Sequence, residues 1–202
     1  MAFIQTIPVS EATGEVLELY QRQQGPYGYL PNYAKVFCYR PEVMKAWANL
    51  QITIRQHLDQ KSFELITLAA AQAIHNSYCC LAHSKVLCEK FYTVDEVKAI
   101  ASNADTSPLT EAEKAMMRLA RQVATDSSSI NAADIQDLLD LGFSEAKIFD
   151  IVSVAAARCF FAKIADALGA APDAAFLAMD QGLRELLTPG RPIDPSQPEV
   201  LS

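Results

Sequence analysis

No segment of the chain alternates apolar and polar residues with a sustained period of two, so no β-strand is predicted. What stands out instead is how long the chain runs without a breaker. No glycine occurs between Tyr29 and Leu141, and no proline from Glu42 to Ser107 or from Leu109 to Ala171. Ala, Leu, Glu, Lys, Gln and Met, the strong helix formers, fill those stretches. Helices are expected at about 10–24, 32–38, 41–58, 62–76, 78–90, 93–102, 110–125, 131–140, 144–168 and 173–187. Thr93-Val-Asp-Glu96 and Thr110-Glu-Ala-Glu113 read as capping boxes, and Ser62, Asn131 and Ser144 as N-caps. Gly169, followed by Pro172, ends the long helix that starts near Ser144. The expected fold class is all-α.

Two features organise the chain. Residues 1–187 suit one helical domain, and residues 188–202 form a Pro-rich tail with Pro189, Pro192, Pro195 and Pro198. That tail cannot be helical or join a sheet interior, so it is read as a disordered end or as an extended arm on a neighbouring subunit. The second feature is an internal similarity. Phe63-Glu-Leu-Ile-Thr-Leu-Ala-Ala-Ala-Gln72 matches Phe149-Asp-Ile-Val-Ser-Val-Ala-Ala-Ala-Arg158 at an offset of 86 residues, with four identities in ten. Two alanine-rich helices alike by chance, or two degenerate helical repeats, account for it equally.

Charge and composition narrow the function classes. The formal net charge is −7 and no Lys/Arg run interrupts it, which argues against nucleic acid and anionic membrane partners. The most apolar run, Ile148 to Leu168, is broken by Asp150, Arg158, Lys163 and Asp166, so it is no membrane span. The opening MAFIQTIPVSE lacks the basic start and apolar stretch of a secretory signal, and a cytoplasmic location is expected. Five cysteines, an odd number, point to free thiols rather than a disulfide framework.

The chemistry concentrates between Glu64 and His83. Two of the three histidines and two of the five cysteines fall within the nine residues from His75 to His83. Cys79 and His83 stand four apart, one helical turn on one face. A thiolate is the reactive form of cysteine, an imidazole one turn away can take its proton, and a helix start near Ser77 would favour the anion. A low-pKa thiol is therefore expected, with a buried structural thiol as the plain alternative. His75, Cys79 and His83 could share one face as metal ligands, but three successive turns span about 12 Å, too far for one ion, and no metal is expected.

The spacing Glu64-x(14)-Cys79-x-x-x-His83 resembles the alkylhydroperoxidase AhpD-like proteins of the carboxymuconolactone decarboxylase superfamily. Gly28-Tyr-Leu-Pro-Asn32 with Pro41, and Ala167-Leu-Gly-Ala-Ala-Pro-Asp173, resemble its peroxidase-related subgroup. The likeness runs from about residue 3 to 187. It implies an AhpD-like helical fold, a homo-oligomer (trimer or hexamer), no cofactor, and reduction of a small-molecule peroxide by cysteine. By the same likeness Cys79 would be the nucleophile, with His83 and Glu64 in a proton relay and Asn76 and Tyr78 contacting substrate. The first cysteine of the family's Cys-x-x-Cys pair falls on Asn76 here. Without that resolving thiol, a one-cysteine cycle served by an external thiol reductant is expected. Two alternatives stay open: decarboxylase-like chemistry on a small organic acid, and a non-catalytic oligomeric scaffold. Glu64 also has a purely structural reading at a helix start, and a straight helix would hold it roughly 22 Å from Cys79.

Overall fold

The computed structural model describes residues 2–201. The described residues form ten α-helices and four short 3-10 turns, joined by irregular segments, and contain no strand. The helices are α1 (Gly14–Gln24), α2 (Asn32–Val36), α3 (Pro41–Arg55), α4 (Gln60–Ala73), α5 (Ser77–Lys90), α6 (Val94–Ser102), α7 (Glu111–Asp126), α8 (Ala132–Asp140), α9 (Glu145–Ala167) and α10 (Gln181–Leu186).

The core is built around α4, where every residue from Phe63 to Ala71 is buried. A helix apolar on all sides needs neighbours on all sides, and α5, α7 and α9 supply them. The alanines at 69–71 let those neighbours come close. α9 buries only one stripe, including Ile151, Val154, Ala155, Arg158, Phe161, Ala162 and Ala165. α3 lies against α9, and α8 packs on α7.

The local start and stop signals act as expected at most ends. Both Thr capping boxes form, and Asn131 and Ser144 cap α8 and α9. Gly169 follows α9 at φ +82°. A side chain there would meet the ring and backbone nitrogen of Phe3 at 2.8–2.9 Å, so both conformation and space call for glycine.

Three expectations need correction. The cap of α4 is Asp59, not Ser62; the Asp59 carboxylate accepts from both the N–H and the hydroxyl of Ser62. The helix expected at 173–187 is two pieces, a 3-10 stretch (Ala174–Ala178) and α10, because Asp180 starts a new helix by accepting from Leu183 N–H. The Pro-rich tail is neither loose nor extended away from its own domain. Gly190 N–H donates to Ser77 Oγ, Arg191 donates to the Asp166 carbonyl, and Glu199 pairs with Lys35. Leu201 and Gln24 exchange two hydrogen bonds.

Candidate active site

The chain between α4 and α5 turns back on itself within three residues. His75 takes φ +56°, the left-handed conformation that ends a helix. Asn76 N–H closes back on the Ala71 carbonyl at 2.9 Å. α4 and α5 therefore form an antiparallel hairpin, and the straight-helix separation of Glu64 from Cys79 does not arise. Within one chain, Glu64 Oε2 pairs with His83 Nδ1. His75 is exposed in the turn and shares no face with Cys79 and His83. Among the described residues no group of three His, Cys, Asp or Glu side chains is gathered as a metal ion would need.

Asn76 caps α5. Its Oδ1 accepts from Cys79 N–H at 2.8 Å, and its Nδ2 donates to Asp166 Oδ2 at 2.8 Å and to the Ala162 carbonyl. The residue is fully buried and does not line the cavity beside Cys79. Its amide holds α5 to α9 and orients the turn that carries Cys79, which leaves it no free group for substrate. Tyr78 does line the cavity, and its hydroxyl donates to Asp173.

Cys79 sits in the first turn of α5, 2% exposed. Arg158 of α9 lies across from it, with Nη1 3.6 Å from Sγ. Burial pushes the Cys79 thiol up, and the Arg158 cation pulls it back down without cancelling the effect. The spacing alone favours a low-pKa thiol; in the resting site burial works the other way and exceeds the pull of the Arg158 cation. His83 is shifted down, first by burial and then by Arg158, with Glu64 opposing. A neutral imidazole bonded through Nδ1 to a carboxylate carries its proton there and leaves Nε2 basic.

These groups face a cavity of about 310 Å³, at the small end of organic-ligand sites. α3 contributes Trp47, Gln51 and Arg55 to it, α4 contributes Phe63, α5 contributes Tyr78, Cys79 and His83, and α9 contributes Arg158 and Phe161. Asp173 also lines it, its carboxylate accepting from Tyr78, Tyr29 and the Asn32 N–H, and burial pushes it toward the neutral acid. A larger depression of about 450 Å³ between α1 and α3 has no cysteine or histidine in its wall.

Arg158 was missed as a site residue, although it stood in plain sight as a charge inside the apolar run Ile148–Leu168. Gln51 and Trp47 gave no comparable signal, since their place depends on how α3 packs against α9.

Comparison with known proteins bears on the fold. The carboxymuconolactone decarboxylase family model matches residues 41–122. The AhpD-core, uncharacterized peroxidase-related protein of Ralstonia eutropha JMP134 superposes with a TM-score of 0.78 at 21% identity, covering 88% of this chain and 95% of that one. Residues 41–122 thus resemble the carboxymuconolactone decarboxylase family, and the chain has the AhpD-like fold. A peroxidase-related protein of Silicibacter sp. TM1040 shares the AhpD-like fold (TM-score 0.75, 20% identity, 86% and 93% covered). So does the debrominase Bmp8, solved with 2,3,4-tribromopyrrole (TM-score 0.69, 18% identity, 92% and 95% covered). No curated protein matches in sequence. No helix among the described residues is long and apolar enough to cross a membrane.

Proposed function

We propose that this AhpD-like protein is a peroxidase-related oxidoreductase that reduces peroxides at Cys79. The observation that supports the reading most is the series of groups Glu64, His83, Cys79 and Arg158, all buried but the half-buried His83, drawn from three helices around one cavity. His83 takes the thiol proton and becomes an imidazolium beside Glu64. The thiolate, facing the Arg158 cation, attacks the distal peroxide oxygen. The S–O bond forms as the O–O bond breaks, giving Cys79 sulfenic acid and an alkoxide that recovers the proton from His83. An external thiol condenses with the sulfenic acid, releasing water and leaving a mixed disulfide. A second thiol restores Cys79. Because the resting thiol is held in its neutral form, proton transfer to His83 belongs to the reaction and is not completed before it.

Assembly as a homo-oligomer (trimer or hexamer) is part of the same proposal. Its support is the pair of exposed rings Phe149 and Phe160, which sit on one outer face of α9.

The test is to treat the reduced protein with substoichiometric cumene hydroperoxide and trap sulfenic acid with a dimedone reagent. Peptide mass spectrometry should place the label on Cys79 alone among the five cysteines. The label should be lost in His83→Ala. An intact peroxide with no label at Cys79 would refute the reading.

A further inference from the structure

The cavity beside Cys79 holds two buried donors with nothing to donate to. Arg158 is 5% exposed and Gln51 is 7% exposed; Arg158 Nε and Gln51 Nε2 both lack a hydrogen-bond partner. No carboxylate pairs with Arg158 among the described residues, and its one polar contact is the Cys79 sulfur. A buried cation with an unsatisfied N–H is costly, and such groups are retained where a ligand completes them. The faces of Trp47 and Phe161, each 5.5 Å from the guanidinium, offset part of the charge but accept no N–H bond.

The walls around these donors are aromatic. Trp47 stacks on Phe161 at 4.6 Å between centroids, Tyr33 meets Phe161 and Tyr78 edge-on, and Tyr78 meets Phe176 edge-on. Rings packed this way present flat faces and leave little for a flexible chain to gain. Asp173, the carboxylate in the wall, already accepts three donors and is pushed toward neutrality, so it opposes an incoming anion weakly. Arg55, also in the wall, is exposed to solvent and adds a second cation.

We infer that the cavity binds a planar aromatic anion, a ring bearing one carboxylate or phenolate oxygen that Arg158 and Gln51 hold while the ring lies among the aromatic walls beside Cys79. This rests on reading the Cys79 cavity as the working site, though not on peroxide as the oxidant.

Trp47 is the only tryptophan in the chain, so its emission reports on this wall. The experiment titrates the reduced full-length protein with benzoate, reading Trp47 emission and calorimetric heat. Benzyl alcohol (ring without charge), acetate (charge without ring) and cyclohexanecarboxylate (charge on a non-planar ring) are the controls. Benzoate should saturate, and each control should bind at least about tenfold more weakly. Arg158→Gln should weaken benzoate by about tenfold or more while leaving benzyl alcohol unchanged. Gln51→Leu, which keeps the cation, should cost a smaller factor of about threefold. No saturable benzoate binding, equal affinity for benzyl alcohol, or indifference to Arg158→Gln would each overturn the inference. Benzoate binding with no peroxide-dependent label at Cys79 would leave it standing and remove the peroxidase reading; a label without benzoate binding would do the reverse.

Discussion

The segments Phe63–Gln72 in α4 and Phe149–Arg158 in α9 share a residue pattern and serve the site from opposite ends. In α4 the acidic end takes part: Glu64 is 3% exposed and bonded to His83, whereas Gln72 at the far end donates to the Ala101 carbonyl. In α9 the acidic end lies outside the core, with Phe149 69% exposed, and the basic end takes part through Arg158 at Cys79. The shared pattern encodes a helix with a small-residue face. Which end meets the cavity is set by where each helix lies, α4 enclosed on every side and α9 along one stripe.

Paired substitutions can break that comparison. The largest difference should be between the two phenylalanines. Phe63→Ala should destabilise by about 3–5 kcal/mol, and Phe149→Ala by less than about 0.5 kcal/mol, as read from urea denaturation. Equal costs would mean that the two segments are buried alike in solution. Next come the two acids. Glu64→Gln should slow sulfenic acid formation at Cys79 by about 100-fold, whereas Asp150→Asn should leave the rate unchanged within about twofold. Comparable losses would undo the distinction between the acidic ends.

Arg158 offers a sharper test, because its two effects should separate. Arg158→Met removes an unpaired buried cation, so stability should hold or rise by about 1 kcal/mol. The same change removes what draws Cys79 downward, so iodoacetamide alkylation of that thiol should shift to higher pH. A destabilised variant with an unmoved alkylation profile would show that Arg158 serves the fold and not the thiol. The smallest expected effect concerns acid. His83 is held below its ordinary value in the folded protein, so the unfolded chain takes up a proton that the folded one refuses. Stability from this group is full above about pH 6.5 and is lost as pH falls toward the folded value. His83→Gln should flatten that part of the stability–pH curve; an unchanged slope would remove His83 from the account.

The helical class, most boundaries and the Glu64–Cys79–His83 spacing could be read from residues because each rests on local signals: missing breakers, capping boxes and spacing within a turn. A helix boundary near residue 77 could be read too, but the reversal of the chain at His75 could not. A non-glycine residue in the left-handed conformation leaves no compositional mark, and without that reversal a straight helix holds Glu64 far from Cys79. Ser62 is the cap expected for α4; Asp59, three residues earlier, takes that place and bonds Ser62. Arg158 and Gln51 needed the packing of α9 on α5 and α3, across 79 and 107 residues respectively, which no window on the sequence spans. The position of the thiol pKa depended on burial, which spacing does not report.

The tail that returns along the domain bears on how the molecule comes into being. Leu201 joins Gln24, Glu199 joins Lys35 and Leu30, and Gly190 reaches over the turn at His75, where an added methyl would collide with the His75 carbonyl at 2.1 Å. These contacts join residues more than 100 positions apart, the kind whose loop closure costs most entropy and slows folding. During translation the hairpin that bears Cys79 can form long before residue 190 leaves the ribosome. The segment that buckles the thiol hairpin is therefore the last part of it to be made.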